Sequence, residues 1–243
     1  FGVALAGTGG GKFFINFAFA LLGHMRGGPA KVSVISSGMM GSLSGSVVTN
    51  VLTTGVLTIP AMKRVGFRRD YAAGVEACAS TGGALMPPIM GAAAFLMAFV
   101  LNIPYSTVVV AAIIPSVLYY LALFVQIDAY SARNDLKGLD PVELPRLSTV
   151  LKQGWYFVFV LVVLIIFLLY FQLEARAPFY ATALLLILNR INPEDRLSLK
   201  GFGDFIVDSG RLFAELAAVV AAVGMIIGSL TLTGKIGTLS YEL

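Results

Sequence analysis

The feature that most constrains this chain is a long uncharged stretch, Val32–Met62, closed by basic residues at both ends. Arg26 and Lys31 precede it, and Lys63, Arg64, Arg68 and Arg69 follow it. It is rich in Ser, Thr and Gly, with Ser44-Gly45-Ser46 near its middle. In a membrane such a segment has two choices. A single spanning helix puts Lys31 and the Lys63–Arg69 cluster on opposite faces. Two short helices meeting at a broken tip return the chain to the side it left. Only the second choice lets the later basic residues agree. Arg133, Lys137, Arg146 and Lys152, then Arg190, Arg196 and Lys200, fall on the same face as the first cluster, with Arg176 opposite. Basic loops gather on the cytoplasmic side, so a doubling-back over about residues 32–60 is predicted. Each arm then holds about 13 residues, or roughly 20 Å of helix, which reaches the middle of ~30 Å of hydrocarbon without crossing it.

That a membrane is involved follows from composition. Hydrophobic residues make up 58% of the chain and charged residues 12%, whereas a soluble domain is about half apolar and a quarter charged. Runs such as Phe157–Phe171 exclude a soluble helical bundle. The reading is an all-α polytopic membrane protein built from a re-entrant helical hairpin plus broken and spanning helices. The net charge of +4 resides in loops, where the membrane rule puts it, and gives no argument for nucleic acid. One His, one Cys and scattered carboxylates offer no intramembrane acid–base or metal set, so an enzyme is not expected. His24, beside Arg26, reads as an interfacial residue, and Cys78 as a small buried filler. The chain begins at Phe1 inside an apolar, glycine-rich pattern and stops at Tyr241-Glu242-Leu243, and it reads as a stretch of a longer polypeptide.

A broken backbone at mid-bilayer is tolerated only when it is buried in protein or lines a cavity. The Ser-Gly-Ser tip leaves free carbonyls and amides, and helix ends bring partial charges to the same point. Ser44, Gly45, Ser46, Thr49, Asn50 and Thr53 are therefore the first candidate substrate- and ion-binding residues. Gly38, Gly41 and Gly55 are assigned to close helix packing instead. A second interruption, Ser80-Thr81-Gly82-Gly83-Ala84-Leu85-Met86-Pro87-Pro88, unwinds the next apolar helix, Asp70–Leu101, because Pro removes donors and Gly removes steric restraint. Two breaks at similar depth read as facing halves of one site, which adds Ser80, Thr81, Gly82, Gly83 and Pro87. Of these, Ser44, Ser46, Asn50 and Gly82 are the candidate ligands of a coupling ion. Glu76, one turn before the break, is expected to pair with Arg68 or Arg69, since pairing costs less than an isolated intramembrane charge.

Farther on, Tyr105–Ile127 reads as a spanning helix kinked at Pro115, and Asp128–Gln153 as a polar loop. Trp155-Tyr156 reads as an interfacial aromatic anchor, Phe157–Phe171 as scaffold, and Ala177–Leu188 as a further crossing. Asp204, Asp208, Arg211 and Glu215 recur on one helix face and are read as a polar surface. Leu230–Gly234 weakly echoes Val3–Gly7, as a second repeat beginning near the end would. The expected organisation is a transport half over 1–130, a cytoplasmic linker over 131–153, scaffold-type helices over 154–200, and the start of a second repeat over 201–243.

Particular strings also carry a resemblance. They are Gly27-Gly28-Pro29-Ala30-Lys31-Val32, Gly45-Ser46-Val47-Val48-Thr49-Asn50-Val51, Thr58-Ile59-Pro60-Ala61-Met62-Lys63-Arg64 and, most specifically, Ala79-Ser80-Thr81-Gly82-Gly83-Ala84-Leu85-Met86-Pro87-Pro88-Ile89-Met90-Gly91-Ala92-Ala93-Ala94-Phe95. The chain resembles the large membrane subunit of tripartite ATP-independent periplasmic (TRAP) transporters, in the fused permease version that works with TAXI-type binding proteins. The resemblance implies half of an inverted-repeat elevator transporter in a bacterial or archaeal cytoplasmic membrane. It implies import driven by a sodium gradient, with no cofactor, of an organic acid delivered by a periplasmic binding protein. It also implies a small membrane subunit, fused or separate. In that family the hairpin tip and the unwound helix bind sodium and substrate, which maps onto Ser44–Asn50 and Ser80–Pro87. A channel is the alternative, since channels also use re-entrant loops. Saturable uptake that needs a soluble binding protein discriminates against it.

Overall fold

The computed structural model describes residues 1–174, 176–190 and 199–234, and all regular structure among them is helical. The helices are α1 Gly2–Gly7, α2 Gly10–Leu22, α3 Gly28–Ser44, α4 Val47–Arg64, α5 Arg69–Gly82, α6 Ala92–Leu101, α7 Tyr105–Arg133, α8 Leu147–Ile165, α9 Ala177–Asn189 and α10 Leu199–Leu232. The chain divides into one compact unit, Phe1–Ser198, and a second, Leu199–Leu243. In the second unit Asp204, Asp208, Arg211 and Glu215 lie exposed on α10, with Arg211 and Asp208 paired at 3.4 Å. Arg196 and the stretch from Lys235 onward lie outside the described residues. Three helical stretches, Tyr105–Arg133, Pro141–Tyr170 and Gly201–Leu232, are long and apolar enough to cross a membrane, and Gly10–Leu22, Ala92–Leu101 and Ala177–Asn189 are shorter apolar helices. The protein is a polytopic helical membrane protein.

α3 is the centre of the first unit. Nearly all of it is buried, and α1, α2, α4, α5 and α7 pack around it. Local chemistry fixes both of its ends. Gly27 sits in the left-handed region (φ 62) and Pro29 occupies the first turn, where a missing N–H costs nothing. Gly45 (φ 65) terminates the helix, and its N–H donates to the Gly41 carbonyl, the usual glycine stop. Ser46 then caps α4, accepting from the Thr49 N–H at 3.4 Å.

The chain doubles back at this point. The two feet of the α3–α4 hairpin rest on the end of α7 and on the segment that follows it. Lys31 and Arg26 at the start of α3 pair with Asp128 near the end of α7, Lys31 at 2.6 Å, while Arg64 at the end of α4 pairs with Glu143 at 2.9 Å. Backbone bonds reinforce the foot: Gly27 N–H to the Leu136 carbonyl (3.1 Å) and Leu139 N–H to the Gly23 carbonyl (2.9 Å). Ala30, Val34, Met62, Phe67, Ile127 and Leu136 share one buried cluster there, and Tyr71 and Tyr130 stack beside it at 3.7 Å. The arms, at 17 and 18 residues, are longer than the sequence suggested, because each continues through its basic boundary.

α7 serves as a ruler for the breaks. Gly38 of α3 and Gly82 at the end of α5 both abut the rings of the Tyr119–Tyr120 pair, which lies midway along this 29-residue helix. From Gly38 the arm runs only to Ser44, about 9 Å further. α4 is inside-out by the standard of a soluble helix. Its buried face carries Asn50, Thr54 and Thr58, while Val48, Leu52 and Val56 are 65%, 67% and 68% exposed. That polarity suits a segment whose outer face meets lipid or more protein and whose inner face carries the chemistry.

Elsewhere the structure departs from several expectations. α7 runs to Arg133, past the expected end at Ile127, because Asp128 and Ser131 are tied into the hairpin foot and need not be loop. The linker is accordingly shorter, from Asn134 to Arg146, with a 3₁₀ turn at Pro141–Glu143. α7 continues as one helix through Pro115. α8 begins at Leu147 and bends at Gly154, where a Cβ would meet the Phe13 ring at 2.0 Å. Trp155 is exposed, but Tyr156 is buried rather than an interfacial anchor. Cys78 is exposed rather than a core filler.

Candidate hairpin-tip binding site

The two breaks meet. Gly41 and Gly83 touch backbone to backbone: a Cβ on Gly41 would lie 2.4 Å from the Gly83 Cα, and one on Gly83 2.5 Å from the Gly41 Cα. The Ile89 N–H donates to the Ser42 carbonyl at 3.2 Å. A Cβ on Gly45 would lie 2.4 Å from the Met90 carbonyl oxygen. The unwound stretch between α5 and α6 therefore closes over the hairpin tip. The Tyr105 hydroxyl supports it from α7 by donating to the carbonyls of Pro88 (3.0 Å) and Ile89.

The sequence-predicted residues divide in this geometry. Ser44, Gly45, Asn50, Ser80 and Gly83 come together at or just below the tip. Asn50 is fully buried; its Nδ2 donates to the Ser37 carbonyl at 2.8 Å, and its Oδ1 has no partner among the described residues. Ser44 Oγ is likewise buried without one. Ser46 spends its side chain on the α4 cap, and Thr49 supplies the N–H. Pro87 is half-buried in the unwound stretch. The rest point elsewhere. Thr53 donates to the Thr49 carbonyl at 2.7 Å, and its methyl crowds Gly11 of α2. Thr81 is exposed on the outer side of α5, bonded to the Ala77 carbonyl. Gly82 is a packing residue against Tyr119. The packing role expected for Gly38, Gly41 and Gly55 matches their surroundings, the Tyr120 ring, Gly83 and the Glu76 stem respectively.

Glu76 departs most from expectation. It does not pair with Arg68, which bonds Asp70 at 2.7 Å instead, and it is completely buried. Its carboxyl is ringed by hydroxyls from three helices. Ser33 (2.7 Å) and Thr58 approach Oε2, while Ser37 (3.1 Å), Ser80 (3.3 Å) and Thr54 approach Oε1. Gly55 makes room: a Cβ there would lie 3.2 Å from the Glu76 Cγ. A buried carboxyl is tolerated only with such donors around it. The signal was present in the sequence as three i, i+4 polar pairs, Ser33/Ser37, Thr54/Thr58 and Glu76/Ser80, each of which places both members on one helix face.

Comparison with known proteins follows the same lines. The family described as "Tripartite ATP-independent periplasmic transporter, DctM component" matches residues 1–243, the whole chain. A "C4-dicarboxylate TRAP transporter large permease protein DctM" from Vibrio cholerae is 35% identical over 121 residues, 49% of this chain and 26% of that protein. Its namesake from Pseudomonas aeruginosa is 30% identical over 159 residues, 65% of this chain and 37% of that protein. An "Isethionate TRAP transporter permease protein DctMQ" from Oleidesulfovibrio alaskensis is 27% identical over 246 residues, 98% of this chain and 36% of that protein. The chain thus spans well under half the length of these three relatives.

Proposed function

As the chain belongs to the DctM-component family of tripartite ATP-independent periplasmic transporters, we propose that it forms one half of the transport domain of a secondary active permease in a bacterial inner membrane. The substrate is an organic acid, the class named for relatives that carry C4-dicarboxylates and isethionate. A periplasmic binding protein, of the TAXI type, delivers it, and a small membrane subunit, fused or separate, completes the assembly. Sodium drives import, and the domain moves as an elevator.

The observation that carries this reading is the meeting of the hairpin tip with the unwound stretch, with the buried, unpartnered Asn50 Oδ1 beneath it. Irregular backbone in a membrane segment is expensive unless it lines a site. Here it juxtaposes helix ends, the Asn50 amide oxygen and the Ser44 hydroxyl, ligand types that suit a hard monovalent cation. Residues 1–133 supply the tip and break, the end of α7 and the linker carry the hairpin foot, α8 and α9 are the scaffold, and residues from 201 begin the second repeat. Ser44 and Asn50 serve the cation with their side chains, while Ser46 holds the cap of α4 and Gly82 acts only through packing.

The test is uptake of radiolabelled dicarboxylate into proteoliposomes by the whole transporter with its binding protein. Asn50→Leu removes the amide without adding bulk beyond a similar side chain. Loss of sodium-dependent uptake with membrane insertion retained is the expected result. Wild-type uptake by this variant refutes the site.

A further inference from the structure

Glu76 has a role that the tip reading does not use. Its carboxyl is fully buried, and Lys31, Arg26 and Arg68 are engaged elsewhere: Lys31 and Arg26 with Asp128, Arg68 with Asp70. Among the described residues no cation reaches it. The groups that surround it are hydroxyls, each with a single hydrogen, and two of them face competing acceptors. Thr54 also lies 2.8 Å from the Asn50 carbonyl, and Thr58 lies 3.0 Å from the Thr54 carbonyl. A hydroxyl whose single hydrogen is shared with the backbone satisfies the carboxyl only in part, and a carboxylate left short of donors among hydroxyl oxygens suits a hard cation.

This space is continuous with the tip. Ser37 belongs to both: its carbonyl accepts from Asn50 Nδ2 at 2.8 Å and its hydroxyl donates to Glu76 Oε1 at 3.1 Å. Ser80 and Glu76 stand one turn apart on α5, as Asn50 and Thr54 do on α4. The unpartnered Asn50 Oδ1 is the second, independent mark of a missing ligand in the same column.

We propose that Glu76 is the fixed negative charge that draws the coupling sodium ion into the column between the hairpin and α5, its carboxylate being neutralised as the ion arrives at Asn50. This rests on the transporter reading above and adds the counter-charge that reading lacks. Glu76 acts as a positioning residue: it sets the affinity for the ion through the field at the site. One residue separates the Asn50 amide from the Glu76 carboxylate, a span of at most about 10 Å, and at an effective dielectric of ~20 opposite unit charges at that range alter affinity roughly tenfold.

The experiment is a sodium titration of the whole transporter in proteoliposomes, read both as uptake and as sodium-dependent thermal stabilisation in detergent, with potassium and choline as controls. Wild type first tests the underlying reading: without sodium dependence, that reading and the present proposal fall together. With sodium dependence established, Glu76→Gln keeps the shape and most hydrogen bonds but removes the charge. Its half-saturating sodium concentration is expected to rise about tenfold, with substrate KM unchanged at saturating sodium. Glu76→Asp, which keeps the charge, is expected to recover most of the sodium affinity. A purely structural brace predicts the reverse order, since Asp shortens the arm and Gln preserves it. Unchanged sodium affinity in Glu76→Gln overturns the proposal, whatever happens to its stability, and so does a loss confined to the pH profile of uptake. If Glu76→Gln does not insert, Thr58→Val decides the matter. That variant keeps the charge and removes one competing donor, so tighter sodium binding supports the proposal and unchanged or weaker binding overturns it.

Discussion

Gly41→Ala gives the sharpest test of the geometry, because the same substitution at Gly74 is its control. In an exposed helix interior, glycine to alanine stabilises by about 0.5–1 kcal/mol, since the unfolded chain loses freedom and the helix gains a better former. Gly74 is such a site: it lies in α5 with open space around it. Gly41 is also helical, but a methyl there would stand 2.4 Å from the Gly83 Cα and 2.8 Å from Asn50 Nδ2. Carbon atoms rest at about 3.5 Å or more, so the shortfall is about 1 Å against backbone, which cannot rotate away. Overpacking of this kind costs about 1–3 kcal/mol. Offset by the helix gain, the net destabilisation is up to about 2.5 kcal/mol, or a fall in Tm of up to roughly 10 °C for a chain of this size. Gly74→Ala is expected to raise Tm by about 1–4 °C. Thermal unfolding of the two purified variants in one detergent makes the comparison. The displaced tip should also weaken sodium dependence in Gly41→Ala and leave it intact in Gly74→Ala. If the two variants melt alike, the glycine contact is not tight, and the closure of the unwound stretch over the tip is wrong.

Two further outcomes follow from the hairpin foot. Single cysteines placed at Arg26, Arg64 and Asn102 in a Cys78→Ser background should divide two against one when labelled by an impermeant maleimide: Arg26 and Arg64 from the same compartment, Asn102 from the other. Asp128→Ala should leave the buried Lys31 without its partner and lower the melting temperature, because the charge left behind is the buried one. Most of the loss should return in the Lys31→Met, Asp128→Ala double variant, read by the same thermal unfolding.

The hairpin and the unwound helix were legible in the sequence because their causes are local and coarse. Basic boundaries set the sides, Ser44-Gly45-Ser46 supplies a glycine stop followed by a serine cap, and paired glycines and prolines after Ser80 stop α5. Site membership was less legible, because it depends on which way a side chain turns. Thr53, Thr81 and Gly82 sit beside the tip and break in sequence but on helix faces turned toward α2, outward and toward α7. Glu76 was misassigned for an energetic reason. An arginine partner nearby in sequence is the cheaper solution for an intramembrane acid in general, yet Asp70 competes for Arg68 from two residues away, and five hydroxyls converge on Glu76 from three helices. No single helix displays that convergence. Only the pairing of three i, i+4 patterns does. The end of α7 failed for the same kind of reason: Asp128 looked like loop until Lys31 and Arg26 reached it.

The hairpin is fastened unequally along its length, and this bears on how such a site works. Its foot is held by two ion-pair sets, a stacked tyrosine pair and a buried apolar cluster. Among the described residues its tip is tied to the unwound stretch by one backbone hydrogen bond and by close glycine contacts, with Leu43 and Met90 buried beside them. A single neutral hydrogen bond is worth about 1 kcal/mol net, and contacts between glycines bury little apolar area. Separating tip from break therefore costs far less than lifting the foot, and it leaves the arms packed on α2, α5 and α7. The Glu76 hydroxyl ring sits between these two regimes. It binds both arms to α5 one to three turns below the tip, so whatever fills or neutralises that column stiffens the tip without touching it. On the reading proposed above, a cation entering at Asn50 would then close the upper contact by the same step that satisfies the lower one, through Ser37 and Ser80 rather than through any movement of the foot.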